Sequence, residues 1–288
     1  MRYIDTSEII VDADWVAIAK EQNRRNQYPP LTSLWSYFKA EFEDRFGKKC
    51  WYSESLNFGS VNPIDHFRPK SERIKGLPPF EQLKEVIEQV NINAGAGYPF
   101  LELSFSNFRY SCSIVNSPNK HDTIDKLTRG KWDYFPLSLK SSRATNVNEI
   151  ENEEICFLDP CKVDDPELFT FTETGFIQAN ISVLKSNWTY CKVIVSIEAY
   201  HLHYFQFCEV RKEIWNECGK EIELIAGLYY KNPSTLDEQN NLSHLISCLH
   251  KRINKKTQFS AVAIDCIKYN RINHSWLNIL FNDDMLKK

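Results

Sequence analysis

Apolar positions recur along this chain in two rhythms, and the change of rhythm organises it. Residues 8–28 carry a helical pattern of mixed polarity. Residues 31–46 carry a stronger one: Leu31, Leu34, Trp35, Phe38, Phe42 and Phe46 follow one another at spacings that make a single apolar face. Thr32 or Ser33 is placed to cap this helix and Gly47 to end it. The rhythm then breaks. Residues 48–70, KKCWYSESLNFGSVNPIDHFRPK, are turn-rich and aromatic. They suggest a short strand at 49–52, a loop, and a strand at 61–66 that Pro69 stops. A helix is expected over 78–93, with Pro78 and Pro79 at its start, then a loop from Asn93 to Gly97. Residues 98–116 form a second compact stretch, and 117–136 are polar and loop-like.

Residues 140–154 are acidic and asparagine-rich, which suggests a linker. The following stretch, ICFLDPCKVDDPELFTFTETGFIQA, suggests strand, turn, strand, a turn at Gly175, and strand. From about residue 191 the helical rhythm returns, and 236–254 and 258–283 each suggest a helix or helix pair. The expected class is α+β, with a small two-strand-and-helix core among helices and a mainly helical C-terminal half. The expected organisation is an N-terminal helical segment 1–47, a core at 48–140, and a mixed region 141–288 packed with that core as one unit.

Composition narrows the function. The chain has 288 residues, enough for one large domain or two small ones. Glycine is scarce, at 9 residues, and neither GxxxxGK[ST] nor GxGxxG occurs, which argues against a P-loop NTPase or a dinucleotide enzyme. The formal net charge is −3, so a nucleic-acid role would need local positive charge or a partner that supplies it. The first fifteen residues carry charges where a signal peptide would be apolar, and no run of 18 apolar residues occurs. The 9 scattered cysteines include no CxxC and suit a reducing, cytoplasmic setting.

The candidate chemistry centres on Asp65-His66, at the end of an expected strand and followed by Arg68, Pro69 and Lys70. Phosphodiester hydrolysis needs a base for water, a cation for the leaving oxygen, and positive groups on phosphate. Histidine has the pKa for the first task, a carboxylate can hold Mg2+, and Arg68 and Lys70 could meet phosphate. Taken alone, such a dipeptide is more often a surface aspartate beside a half-buried histidine. Two amides change that balance. Asn107 lies in FSNFRYSC, and Asn116 follows nine residues later in SCSIVNSPNK. The first could brace a loop and the second could add an oxygen to a cation site. Asn119, Lys120 and His121 add polar density there.

In this order and spacing the motif resembles that of HNH, or ββα-metal, nucleases. The flanks KKCWYSES, IDHFRPK, LSFSNFRYSC, VNSPNK and FPL resemble the HNH proteins of retron and Septu antiphage systems. LDPCKVDDPELFTFTETGFI and VIVSIEAYHLHYFQFCEVRKEIW resemble later blocks of the same proteins. The resemblance implies a nuclease acting on DNA or structured RNA such as tRNA. It implies an SMC-like or ABC-type ATPase partner, with or without a retron reverse transcriptase and its RNA–DNA. It also implies Mg2+ or Mn2+ held by Asp65 and Asn116, His66 as general base, and Asn107 as brace. Lys120 matches the family's basic position only with a one-residue insertion.

One departure concerns the scaffold. The family frames its fold with two CxxC pairs that hold zinc. The corresponding positions here are Cys50 and Ser53, then Cys112 and Val115. Two thiols cannot close a tetrahedral site, so no structural zinc is expected. Trp51, Phe58, Phe67 and Phe108 are expected to hold the hairpin by packing, without rescue by Cys156 or Cys161. This departure weakens a zinc-finger-like binding module, while a non-catalytic assembly or sensor subunit is the alternative to an enzyme. His201 and His203 point apart on a helix and suggest core or interface rather than metal. His244, Cys248 and His250 suggest packing or solvent. Lys251, Arg252, Lys255 and Lys256 form a basic cluster that suggests a solvated helix end.

Overall fold

A computed structural model describes residues 1–25, 34–56, 62–77, 80–120, 126–183 and 187–288. Phe58, His121, Leu31, Thr32, Ser33, Pro78 and Pro79 lie outside these residues, as does the side chain of Trp35.

Helix α1 spans Ala13–Arg25. A 3-10 turn, Leu34–Phe38, leads into α2, Lys39–Phe46. The expected apolar face is there: Phe38, Phe42 and Phe46 are buried. Gly47 ends α2 with φ 85°, its N–H bonded to the Glu43 carbonyl at 3.0 Å. These phenylalanines pack with Trp15, Trp51, Phe108 and Tyr110 in one aromatic cluster.

The strands are short and paired two by two: β1 Ile64–His66, β2 Arg73–Ile74, β3 Val90–Asn91, β4 Gly95–Ala96, β5 Phe108–Tyr110, β6 Leu137–Ser138, β7 Phe169–Phe171 and β8 Ile177–Ala179. β1 pairs antiparallel with β5, setting Asp65 opposite Arg109 and His66 opposite Phe108. Helix α3, Ser113–Asn116, follows β5 directly. The mixed α+β class is as expected.

Several local expectations change, and the loop expected from Asn93 to Gly97 holds β4. Residues 49–52 are not a strand. They enter a tight turn in which the Cys50 carbonyl accepts from the Glu54 N–H at 2.8 Å, and Glu54 takes φ 63°. The helix expected over 78–93 is replaced by 3-10 turns at Glu81–Leu83 and Ile87–Gln89, then β3. Buried Phe80, Leu83 and Val86 recur every three residues, which is the 3-10 period rather than the α period. The supposed linker at 140–154 is packed. It contains a 3-10 turn, Val147–Asn152, and ends at Glu153, whose carboxylate is fully buried.

The C-terminal half is helical, as its rhythm predicts: α4 Trp188–Ala199, α5 Phe205–Lys231, α6 Leu236–Arg252, α7 Ser260–Asn270 and α8 Leu277–Leu280. Thr235 and Glu238 form a reciprocal capping box at the start of α6. Among the strands expected at 155–179, β7 and β8 form around Gly175, while Ile155 makes only an isolated bridge to Leu137. The main apolar core runs from Met1 through Cys50, Phe135 and Val195 to Val262, so it crosses the boundaries expected at 47/48 and 140/141. No helix of the described residues is long and apolar enough to cross a membrane.

Candidate functional site

The β1–β5 pair and α3 together build the site. Asp65 and His66 end β1, Asn107 precedes β5, and Asn116 ends α3. Asp65, His66, Lys70 and Asn116 line one cavity of about 330 Å³ with Ser71, Trp132 and Asp133. Residues some fifty positions apart in the chain thus converge through one antiparallel pairing.

Asn107 acts as a brace. Its Oδ1 accepts from the Arg68 N–H at 2.8 Å, and its Nδ2 donates to the Arg68 carbonyl at 2.9 Å and the Leu101 carbonyl at 3.3 Å. Both backbone groups of Arg68, two residues after His66, are fixed by one amide. Gly97 lets a second segment close in on this loop. A Cβ there would meet the Ser71 carbonyl oxygen at 1.6 Å, which only glycine avoids.

His66 is buried, and its Nε2 lies 2.8 Å from the Glu102 carbonyl. A carbonyl only accepts, so Nε2 carries the proton and Nδ1 is the basic nitrogen. The ring meets Phe108 edge-on at 5.3 Å. Burial lowers the imidazole pKa to about 3, against a smaller opposing pull from the Glu102 carbonyl. The ring is therefore neutral near pH 7.

Asp65 is also buried, and each of its oxygens has one partner. Tyr52 donates to its Oδ2 at 2.7 Å, and the Lys131 ammonium bonds its Oδ1 at 3.0 Å. Burial raises the Asp65 pKa, and Lys131 and Tyr52 oppose that rise. Burial likewise lowers the Lys131 pKa while Asp65 holds it up. Sequence reasoning missed both partners. Lys131 follows Gly130, whose φ of 105° and closeness to the Ser117 carbonyl exclude a side chain. The Lys131 N–H then bonds the Val115 carbonyl, and the Trp132 N–H bonds the Asn116 carbonyl at 2.9 Å. Lys131 is thus tied to the helix that carries Asn116. Nothing local in RGKWDYFPL marks this lysine as buried.

The other basic candidates separate. Lys70 lines the cavity and bonds Glu102 at 2.6 Å. Arg68 does not line it. Its guanidinium bonds Glu153 at 3.0 Å and the Ile150 carbonyl at 3.2 Å, over the Tyr98 and Phe135 rings. Lys120 is exposed and is not part of the lining. His201 bonds Asn119 at 3.1 Å, and His203 bonds the Ile177 backbone, so both serve packing. Arg252 pairs with Glu221 and Glu217, and Lys255 with Glu8.

The four remnant positions of the zinc frame do converge. Ser53 donates its N–H to Cys50 Sγ at 3.5 Å. Hydroxyls of Ser53 and Ser55 lie 3.8 and 3.6 Å from Cys112 Sγ, and Ser111 lies 3.9 Å from Cys50 Sγ. Trp51, Phe67 and Phe108 are buried close by in the chain. Cys156 instead faces Cys191 at 3.7 Å, and Cys161 is half-buried beside Asp159. Among the described residues, no group of three or more His, Cys, Asp or Glu side chains is placed to hold a metal ion.

Comparison with known proteins now has a geometry to stand on. The chain is 30% identical over 189 residues to the Septu protein PtuB of Bacillus mycoides (strain KBAB4). It is similar to a Septu protein. The match covers 64% of this chain and 52% of that one, so the chain spans about half the length of the curated relative it matches. No protein-family model matches the chain, and no solved structure matches it.

The donor set suits a hard divalent cation, within limits. Asp65 offers carboxylate oxygens with lone pairs beyond those that Tyr52 and Lys131 use. The Asn116 side-chain amide makes no hydrogen bond among the described residues and lies at the same cavity. Two oxygen donors and open cavity space fit an ion that keeps several waters, as Mg2+ does.

Proposed function

We propose that the chain is a metal-dependent HNH-type endonuclease that hydrolyses phosphodiester bonds and serves antiphage defence. The observation that carries this reading is the convergence of Asp65, His66 and Asn116 on one cavity, with Asn107 bracing the loop beyond the base. The likeness to a Septu protein supports the defence role.

In this reading Asp65 and Asn116 hold Mg2+ or Mn2+. The bound ion would stabilise charge on the phosphate and the leaving oxygen. His66 takes a proton from water at Nδ1, because Nε2 is committed to the Glu102 carbonyl. Burial keeps the ring neutral and able to accept. Lys70, at the cavity wall and paired with Glu102, would meet a phosphate oxygen. DNA and structured RNA present the same phosphodiester to these groups. The net charge of −3 makes a partner the natural source of further positive surface, and an SMC-like or ABC-type ATPase is the proposed partner.

A second reading has its own support. Asp65 is already neutralised by Lys131, and His66 is a weak base with its pKa near 3. Both features suit a non-catalytic assembly or sensor subunit. Incubation with plasmid DNA and with total RNA, with and without Mg2+ or Mn2+ and the ATPase, separates the readings. Cleavage should fall by about two to four orders of magnitude in His66→Ala, the scale of lost general-base catalysis. Unchanged cleavage in that variant removes His66 from the mechanism. No cleavage by the native protein under any of these conditions favours the assembly subunit.

A further inference from the structure

Lys131 has an unusual position for a lysine. Its side chain is 1% exposed, and its ammonium sits between the two central elements of the site: 3.0 Å from Asp65 Oδ1 and 2.6 Å from the His66 carbonyl. Tyr52 occupies the other Asp65 oxygen. A buried carboxylate requires such a counter-charge, since an unpaired one carries a large desolvation cost. The ammonium contacts Asp65 and the His66 carbonyl, and the charges of Asp133 and the Arg109 guanidinium act on it from farther away.

A divalent ion at Asp65 would bring two further positive charges to a carboxylate that already carries one. At separations of a few ångströms, in a site screened less than bulk water, like charges repel by several times the thermal energy. Either the ammonium withdraws or the ion binds weakly. Asp133 offers a withdrawing ammonium a second carboxylate on the same wall, and Ser71 already bonds that carboxylate at 2.6 Å.

We propose that Lys131 is the resident counter-cation of this site, and that a divalent ion binds Asp65 only in competition with its ammonium. The proposal rests on the reading of Asp65 as a metal ligand. It assigns Lys131 a role in setting metal affinity, distinct from contact with phosphate. It also explains how a buried acid at the site is tolerated without its ion.

The test is Mn2+ binding to the full chain, by calorimetry or by the paramagnetic resonance of free Mn2+. Lys131→Met removes the charge and keeps much of the length. It should bind Mn2+ about tenfold tighter or more, while Lys131→Arg should stay within about twofold of the native protein. Asp65→Asn added to Lys131→Met should abolish the gain. Equal or weaker binding by a folded Lys131→Met, judged by near-ultraviolet circular dichroism, overturns the competition. Should that variant not fold, lysine-15N spectra of the native protein carry the test. The buried Lys131 ammonium signal, identified by its loss in Lys131→Arg, should shift on Mg2+ binding. A signal that stays put while calorimetry shows Mg2+ bound overturns the proposal. Absence of divalent-ion binding in every folded form instead overturns the metal-ligand reading beneath it.

Discussion

The polar cluster at Asp65 and the sulfur cluster at Cys50 and Cys112 are supported by the same antiparallel β1–β5 pair, yet they meet burial in opposite ways. Around the thiols the partners are neutral: serine hydroxyls and the Ser53 N–H lie against the sulfurs. A valine fills the fourth position and is fully buried. Around Asp65 the charge is kept and is answered by a buried ammonium, a tyrosine hydroxyl and the opposing strand. A neutral core of the same volume would avoid that desolvation cost. The difference teaches that the frame can be rebuilt from packing and weak hydrogen bonds. The site instead keeps its charge and balances it with a counter-charge.

The frame is not free of charge throughout, and its charged point gives the largest expected effect. Glu54, in the turn after Ser53, bonds Lys49 at 2.6 Å, Ser260 at 3.0 Å and the Ala261 N–H at 3.1 Å, so it joins the turn to the start of α7. Burial would raise its pKa, but Lys49 and the N-terminal ammonium outweigh burial and hold it well below the usual carboxylate range. Glu54→Ala leaves the buried Lys49 ammonium without its carboxylate. Urea denaturation should record a loss of about 3–5 kcal/mol. A loss under about 1 kcal/mol would mean the frame does not depend on this charge.

The next effect falls on the site side. Asn107→Ala removes three bonds to the backbone and should cost about 1–3 kcal/mol for the groups left unsatisfied. In the nuclease reading it should also lower cleavage, with Mn2+ binding at Asp65 little changed. Stability lost without any change in cleavage would make Asn107 part of the frame alone.

A gain should follow from reversing the frame's substitutions. Ser53 already gives its N–H to Cys50 Sγ, and hydroxyls of Ser53 and Ser55 lie near Cys112 Sγ, so the four positions are already gathered. Ser53→Cys with Val115→Cys should bind one zinc per chain by metal analysis and raise the melting temperature by a few degrees, about 2–4 °C for each kcal/mol in a chain of this size. The native chain should show no such response to added zinc. Zinc bound by the native chain would break the comparison from the other side.

The last effect is acid sensitivity. His203 is held by the Ile177 backbone, and burial, aided by nearby Arg211, lowers its pKa to about 4. Burial lowers His66 in the same sense. Between a folded value near 4 and an ordinary value near 6.5, the unfolded chain holds the proton and the folded chain does not. The stability is therefore complete above about pH 6.5 and falls as pH drops towards 4, by at most about 1.4 kcal/mol per unit for each histidine. Urea midpoints at pH 7, 6 and 5 should fall in that order. His203→Gln should flatten the slope, and an unchanged slope would assign the loss to other groups.

The chain's own order of residues determined its helices and its motif. The spacing of Phe38, Phe42 and Phe46 marks a helix face because periodicity is local, and α5 to α7 follow from the same signal. Asp65, His66, Asn107 and Asn116 were legible as a set because their order and spacing resemble the HNH motif. Tertiary structure alone decided which charges answer which. Arg68 turned to Glu153, 85 residues away, and Asp65 met Lys131, 66 residues away. The stretch 140–154 looked like a linker because its acids are many, yet the burial of Glu153 against Arg68 and Tyr98 made it part of the core. A charged side chain chooses its partner by distance in space and by the cost of burial, and neither is written in the residues beside it.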